Sequence, residues 1–303
     1  MLNLTFLGTA AAVPSRDRAM SCIALKQGHS ITLFDCAEGS QRQLMISKLS
    51  FMKIDRIFIT HMHGDHMLGL PGLLQTMGMS GRKSPLSVYG PKGIKQSVLQ
   101  MMDASEGEIG YELTITEVGP GDIVEFTEGS VLVFKTEHGI DSLGYLYREK
   151  DLPGTFNKQK AIDLGLIPGP DFSRLQAGET VNGVRPEEII GPPKKGISVV
   201  YTGDTIPCEG TRTHARNADV LVHESTYCIG DEELAKSHWH TTNVQAAEIA
   251  KSCNVRALFL THFSNRYEDL DLVRAQAQDV FENVFAVKDL DSFDISPKSI
   301  RQV

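Results

Sequence analysis

The chain has few cysteines and no C-x-x-C pair: Cys22, Cys36, Cys208, Cys228 and Cys253 are scattered over 303 residues. An odd, dispersed set specifies neither a disulfide framework nor a thiolate zinc site, and it fits a reducing cytoplasm. Nowhere do about 18 apolar residues run together, the length that a membrane-spanning helix needs. The start, Met1-Leu2-Asn3-Leu4-Thr5-Phe6-Leu7-Gly8, lacks the basic leader and long apolar run of a signal peptide. A soluble cytoplasmic protein with no membrane partner is therefore expected. Basic charge is also short: 30 Lys+Arg face 38 Asp+Glu, for a net charge of -8 and a pI of about 5.7. Neutralising a nucleic-acid backbone is the main non-specific term in such binding, so any RNA site must be local. Short-period repeats and low-complexity tracts are missing too. At 33.3 kDa and 41% hydrophobic, the chain can bury a full core as one large domain or as a domain with an insertion.

Short apolar or β-branched runs between turn residues predict strands over 2–7, 22–25, 31–35, 56–60, 86–89, 131–136, 143–147, 197–201, 220–223 and 257–261. Helical spacing with a polar start predicts helices over 40–49, 66–77, 93–102, 242–253 and 270–281. The result is an α/β (α+β) protein with grouped strands. Residues 151–196 break this texture, being crowded with Gly and Pro (Leu152-Pro153-Gly154, Ile167-Pro168-Gly169-Pro170, Gly191-Pro192-Pro193), with one short helix expected at 158–164. Such a stretch is either a long connection or an insertion with a task of its own.

What the sequence does contain is a dense block of metal-binding side chains. In His61-Met62-His63-Gly64-Asp65-His66, four of six residues offer imidazole nitrogen or carboxylate oxygen, ligands that suit a borderline cation such as zinc. Four such groups around one turn exceed what a single catalytic zinc needs and imply two ions. The expected local form is a strand over 56–60 that breaks into a loop at Gly64, where φ > 0 costs no strain, followed by the helix from His66. His61 and His63 then face one ion, Asp65 and His66 the other. A helix cap made by Asp65 alone would leave three histidines unexplained. Further ligands are expected at other strand ends: His138, Asp204 and His262 each stand one to three residues past an apolar run. Any one alone reads as an ordinary loop residue; three in the same position beside the first motif read as ligands.

His-x-His-x-Asp-His followed by a His, an Asp and a His at strand ends resembles the metallo-β-lactamase superfamily, which implies an αββα sandwich with metals at one rim. Other stretches narrow the resemblance to the ribonuclease Z family in its short form. Leu7-Gly8-Thr9-Ala10-Ala11-Ala12-Val13-Pro14 is similar to the family's opening, and Phe34-Asp35-Cys36-Ala37-Glu38-Gly39 to its second strand and turn. His223-Glu224-Ser225-Thr226 resembles a His-Glu-Ala-Thr motif, and His240-Thr241-Thr242 a His-Ser-Thr loop. The family's Pro-x-Lys-x-Arg-Asn reads Pro14-Ser15-Arg16-Asp17-Arg18-Ala19 here. The match runs almost end to end. It implies one metallo-β-lactamase domain over 1–303, with 151–196 as an inserted tRNA-binding arm.

The resemblance also implies roles. His61, His63 and His138 would hold one zinc and Asp65, His66 and His262 the other, with Asp204 bridging; manganese could substitute. Two metals about 3.5–4 Å apart activate water and stabilise charge on a phosphate, and Asp65 is a candidate general base as well as a ligand. The leaving 3′-oxygen needs a proton. From the residues alone His238 and His240 compete as donor across Trp239; the resemblance selects His240, with Glu224 behind it to fix its tautomer and raise its pKa. The reaction implied is hydrolysis of precursor tRNA after the discriminator nucleotide, leaving a tRNA 3′-hydroxyl and a trailer 5′-phosphate. Residues 148–196 hold eight basic against seven acidic side chains, a local charge of +1 that leaves -9 for the rest. Lys158, Lys160 and Arg174, with the backbone of Gly169-Pro170, are the expected arm contacts. In this family the arm serves the neighbouring subunit, so a homodimer is implied.

The nearest rival is a small-molecule metallohydrolase of the same fold, such as a phosphodiesterase, because substrate choice lives in loops while fold and metals are shared. A DNA-processing relative would need a further domain, so no DNA partner is expected. A non-catalytic scaffold would have no use for seven ligands.

Overall fold

The computed structural model describes residues 2–107 and 109–303. Its contacts divide the chain into two units, Met1–Arg148 with Ile197–Val303, and Glu149–Gly196. The strands are β1 (Leu2–Gly8), β2 (Cys22–Gln27), β3 (Ser30–Phe34), β4 (Ile54–Phe58), β5 (Leu86–Gly90), β6 (Leu113–Glu117), β7 (Ile123–Phe126), β8 (Gly129–Lys135), β9 (Leu143–Glu149), β10 (Ser198–Tyr201), β11 (Val220–Glu224), β12 (Ala257–Thr261), β13 (Val284–Ala286), β14 (Ser292–Ile295) and β15 (Ile300–Gln302). They form two sheets, ordered β15-β14-β1-β2-β3-β4-β5-β6 and β13-β12-β11-β10-β9-β8-β7.

Alternation along the strands builds four layers in the larger unit, because successive side chains point to opposite faces. Phe34, Phe58, Val199, Val222 and Phe259 belong to one core between the sheets. Their neighbours Leu33 and Ile57 pack with Leu73, Leu74 and Met77 of a covering helix. On the other sheet Val200, Leu221 and Leu258 pack with Ala246, Ile249 and Ala250 of another. This is helix, sheet, sheet, helix, the expected sandwich. Strands β3 to β6 are mutually parallel, as are β10 to β13. Side chains just past their C-terminal ends share one rim, where open α/β sheets place their sites.

Two local expectations are corrected. Gly64 is not a loop glycine with φ > 0; it opens a four-residue helix, Gly64–Met67, directly after the extended His63. The helix expected over 66–77 is two helices, Gly64–Met67 and Leu70–Met79. The break falls at Gly69, whose backbone lies so close to the turn after β3 that a Cβ there would stand 1.8 Å from the Ala37 carbonyl oxygen. Gly69 N–H donates to the Cys36 carbonyl at 3.0 Å, which closes that contact.

The smaller unit holds three short helices, Lys158–Asp163, Pro170–Gln176 and Pro186–Ile189, around Ala161, Leu166, Leu175, Val181, Val184 and Ile189. Its two ends run side by side: Leu152 pairs with Lys194 and Phe156 with Ile190. A Cβ on Gly154 would stand 1.8 Å from the Gly191 carbonyl oxygen. The Gly and Pro residues thus shape a folded element, with more helix than the one segment expected.

Candidate metal centre and adjoining cleft

Each predicted ligand stands where a strand hands over to a turn. Beyond β4 come His61 and His63, then Asp65 and His66 in the first helical turn; His138 follows β8, Asp204 follows β10 and His262 follows β12. Gly203 (φ 59°) and His262 (φ 58°) take left-handed backbone conformations, sharp turns at the rim. The seven residues fall into two groups, His61, His63 and His138, and Asp65, His66, Asp204 and His262, within each of which the candidate ligand atoms lie within 4.8 Å of one another. Five of them, His63, Asp65, His138, Asp204 and His262, border a cavity of about 680 Å³ that also takes in Glu38, Leu68, Tyr227 and His240.

The inward nitrogens meet closely. His61 Nε2 lies 3.0 Å from His63 Nδ1, His138 Nε2 lies 3.2 Å from the same atom, and His66 Nε2 lies 3.3 Å from His262 Nε2. Ligands about 2.0–2.1 Å from a tetrahedral zinc are about 3.3 Å apart, so these spacings fit a cation held between the rings. Asp204 Oδ1 is a buried oxygen without a hydrogen-bond partner among the described residues, and a buried lone pair of that kind calls for a ligand. The donor set, imidazole and carboxylate, is that of a hydrolytic zinc or manganese site.

The outward nitrogens are fixed by a second set of contacts. Thr60 Oγ1 lies 2.9 Å from His61 Nδ1, Asp35 Oδ2 2.8 Å from His66 Nδ1, the Trp239 carbonyl 2.9 Å from His138 Nδ1 and Thr226 Oγ1 2.8 Å from His262 Nδ1. Partners of this type set the tautomer and ring orientation of metal-ligating histidines. Asp35, Thr60, Thr226 and the Trp239 carbonyl carry no role in the sequence reading. The signal for Asp35 was present, a carboxylate ending an apolar strand, but carboxylates there are common. Trp239 contributes only backbone, which composition does not reveal.

Electrostatics agree with the grouping. Burial, and then the neighbouring His66, hold His61 well below the ordinary imidazole pKa, so it is a neutral donor. Burial works against charge on His66 as well, but Asp204 and Asp35 outweigh it and raise its pKa well above the usual value. That position therefore demands positive charge, which a cation can supply in place of the proton. Burial would raise Asp65 and Asp204, yet His262 and His66 overcome it and hold both carboxyls below the usual range.

Beside the cluster stands a second pair. His240 Nδ1 lies 2.7 Å from Glu224 Oε1, and Glu224 is buried while His240 borders the cavity. Burial alone would lower the His240 pKa; the charge and hydrogen bond of Glu224 raise it to about 9. His238 instead turns its Nδ1 to the Leu234 carbonyl at 3.0 Å and to Ser237. The expected arm contacts belong to the other unit: Lys158, Lys160, Gly169, Pro170 and Arg174 are all exposed there. Arg174 is paired with Glu179 at 2.7 Å.

Comparison with known proteins places this arrangement. A family model described as "Anti-Pycsar protein Apyc1" matches residues 2–139, a span that includes the first ligand motif and His138 but none of Asp204, Glu224, His240 and His262. The ribonuclease Z of Methanosarcina mazei is 42% identical over 300 residues, 97% of this chain and 98% of the relative. In structure, human tRNase Z, short form, matches with a TM-score of 0.71 at 28% identity, over 97% of this chain and 99% of that one. A metallo-β-lactamase fold protein of Bacillus subtilis matches with a TM-score of 0.70 at 19% identity, over 96% and 98% of the two chains. With near-complete coverage at such identity, and with a sandwich whose candidate ligands gather at one rim, the chain belongs to the ribonuclease Z family and has the metallo-β-lactamase fold.

Proposed function

We propose that the chain is a metal-dependent endoribonuclease that removes the 3′ trailer of precursor tRNA. It cuts after the discriminator nucleotide and leaves a 3′-hydroxyl on the tRNA and a 5′-phosphate on the trailer. The observation that carries this reading is the separate His240–Glu224 pair beside a seven-ligand cluster, in a chain matched end to end by proteins named ribonuclease Z.

In this reading His61, His63 and His138 would hold one zinc ion and Asp65, His66 and His262 a second, with Asp204 a shared ligand; manganese could take the same residues. Bound there, the metals supply Lewis-acid activation of water and charge neutralisation at the phosphate. Asp65, kept ionised by His262 and His66 against its burial, is placed to accept a proton from the attacking water. Its Oδ2 also accepts from the Ala12 N–H at 2.9 Å, which fixes the carboxylate against the opening segment. His240 donates a proton to the departing 3′-oxygen. Glu224 supports it by holding Nδ1–H, so that Nε2 carries the proton to be given.

The smaller unit is the tRNA-binding arm, with exposed Lys158, Lys160 and the backbone at Gly169-Pro170 as phosphate contacts. Arg174 contributes once substrate competes with Glu179. The active species is a homodimer. No helix among the described residues is long and apolar enough to cross a membrane, and a cytoplasmic site of action follows from the substrate.

The test is incubation of the purified protein with a precursor tRNA bearing a 3′ trailer, with and without a chelator, and mapping of the new ends. One cut after the discriminator, with a 3′-hydroxyl and loss on chelation, is expected. An uncut precursor together with chelator-sensitive hydrolysis of small phosphodiesters would overturn the assignment in favour of a small-molecule hydrolase.

A further inference from the structure

One hydroxyl touches both halves of the cleft. Thr226 Oγ1 lies 2.7 Å from Glu224 Oε2, 2.8 Å from His262 Nδ1 and 3.2 Å from His240 Nδ1. Glu224 already accepts the backbone N–H groups of Thr205 at 3.0 Å, Thr226 at 3.1 Å and Thr241 at 3.2 Å. A carboxylate so surrounded by donors is an acceptor only. A threonine hydroxyl has one hydrogen to give, and the short contact to Glu224 takes it. Its lone pairs are then left to receive Nδ1–H of His262, which leaves His262 Nε2 bare and turned toward His66 Nε2 at 3.3 Å. His240 Nδ1–H goes to Glu224 Oε1, the shorter of its two contacts.

We propose that Thr226 is a positioning residue that joins the metal-ligand cluster to the His240–Glu224 pair: a single hydroxyl fixes the tautomer of His262 and the place of Glu224 together. The inference rests on the reading of His262 as a ligand and His240 as the proton donor. A parallel unit on the other sheet supports it. Thr60 Oγ1 donates to Asp35, with both carboxylate oxygens at 3.0 Å, and receives His61 Nδ1 at 2.9 Å. Each sheet thus presents a threonine between a buried carboxylate and a ligand imidazole, but only the Thr226 carboxylate also holds a second histidine that borders the cavity.

Thr226→Val keeps the shape and removes the hydroxyl; Thr226→Ser restores it. Zinc affinity is measured by competition with a chromophoric chelator, and precursor cleavage at saturating zinc. The valine variant is expected to bind zinc about 10–100-fold more weakly, the range for lost outer partners of metal ligands, and to cleave more slowly even when saturated. The serine variant should return both within about threefold of wild type, the margin that separates it from the expected loss. In a Glu224→Gln background Thr226→Val should cost less zinc affinity than in wild type, because the carboxylate that orders the hydroxyl is gone. Wild-type zinc affinity in Thr226→Val, or equal losses in the valine and serine variants, would overturn the inference while leaving the metal reading intact. If wild type itself held no zinc, the metal reading would fall first and the inference with it.

Discussion

Tyr201, at the end of β10, donates its hydroxyl to Asp35 Oδ2, just past β3, across the two sheets at 2.7 Å. Asp35 also accepts from Thr60 N at 2.8 Å, Thr60 Oγ1 at 3.0 Å and His66 Nδ1 at 2.8 Å. The packing of the sandwich and the aim of one candidate ligand, His66, are therefore set by the same carboxylate. Burial and Asp35 hold the Tyr201 phenol well above its usual pKa, so it remains a donor. Tyr201→Phe removes one of four donors and should cost about 1 kcal/mol in stability, read by denaturant unfolding. Asp35→Asn loses the charge that faces His66 and should weaken zinc binding about 10–100-fold, read by chelator competition. Equal zinc affinity in Asp35→Asn and wild type would remove Asp35 from the metal site.

His63 offers a cleaner test of the ligands than the buried histidines, because it is exposed and its loss leaves no cavity in the core. It presents Nδ1 to the cluster, whereas His61, His66, His138 and His262 present Nε2. His63→Ala is expected to lose metal content and precursor cleavage together while keeping wild-type thermal stability in the zinc-free state. Normal turnover in this variant would refute the ligand set.

The His240–Glu224 pair predicts a pH effect. His240 must be protonated to donate, so activity holds below its pKa and is lost as pH rises through it. Burial alone would lower that pKa, but Glu224 raises it to about 9. Glu224→Gln withdraws the charge, so the alkaline limb of the kcat profile should move to lower pH at fixed metal. An unmoved limb in Glu224→Gln would assign proton donation elsewhere.

The cluster of candidate ligands was legible because it is dense and because parallel strands deliver their C-terminal residues to one rim. Ten of the strands were legible as apolar runs. The other five were short or half exposed: Leu113-Thr114-Ile115-Thr116-Glu117 and Ile123-Val124-Glu125-Phe126 alternate with polar residues at a sheet edge, β14 spans four residues, and β13 and β15 span three each. Gly64 misled because a glycine between ligands reads as a loop, while the close approach that needs a glycine lies at Gly69. Thr60 joins His61 to Asp35 and Thr226 joins Glu224 to His262, across separations of 25 positions from Thr60 to Asp35 and 36 from Thr226 to His262 that local spacing does not show. The Gly/Pro-rich segment hid two of its three helices, since its prolines stand at the first helical positions of Pro170–Gln176 and Pro186–Ile189, where proline is favoured.

The arm can be separated from the chemistry by deletion. Glu149–Gly196 forms a unit with its own small core, and its two ends are paired through Leu152 and Lys194, so removing residues 152–190 takes out most of one folded element. None of the seven proposed ligands lies within it, nor do Glu224 and His240. Its seven basic residues balance seven acidic ones, so it is less acidic than the rest of the chain, which carries the whole net charge of -8, and this suits contact with a few phosphates more than broad attraction. The deletion should lower kcat/KM for precursor tRNA at least about tenfold, or about 1.4 kcal/mol of transition-state binding. Hydrolysis of bis(p-nitrophenyl) phosphate, too small to need an arm, should stay within about twofold of wild type on the same scale. Equal loss of both activities would make the segment part of the catalytic fold and remove its role in holding tRNA.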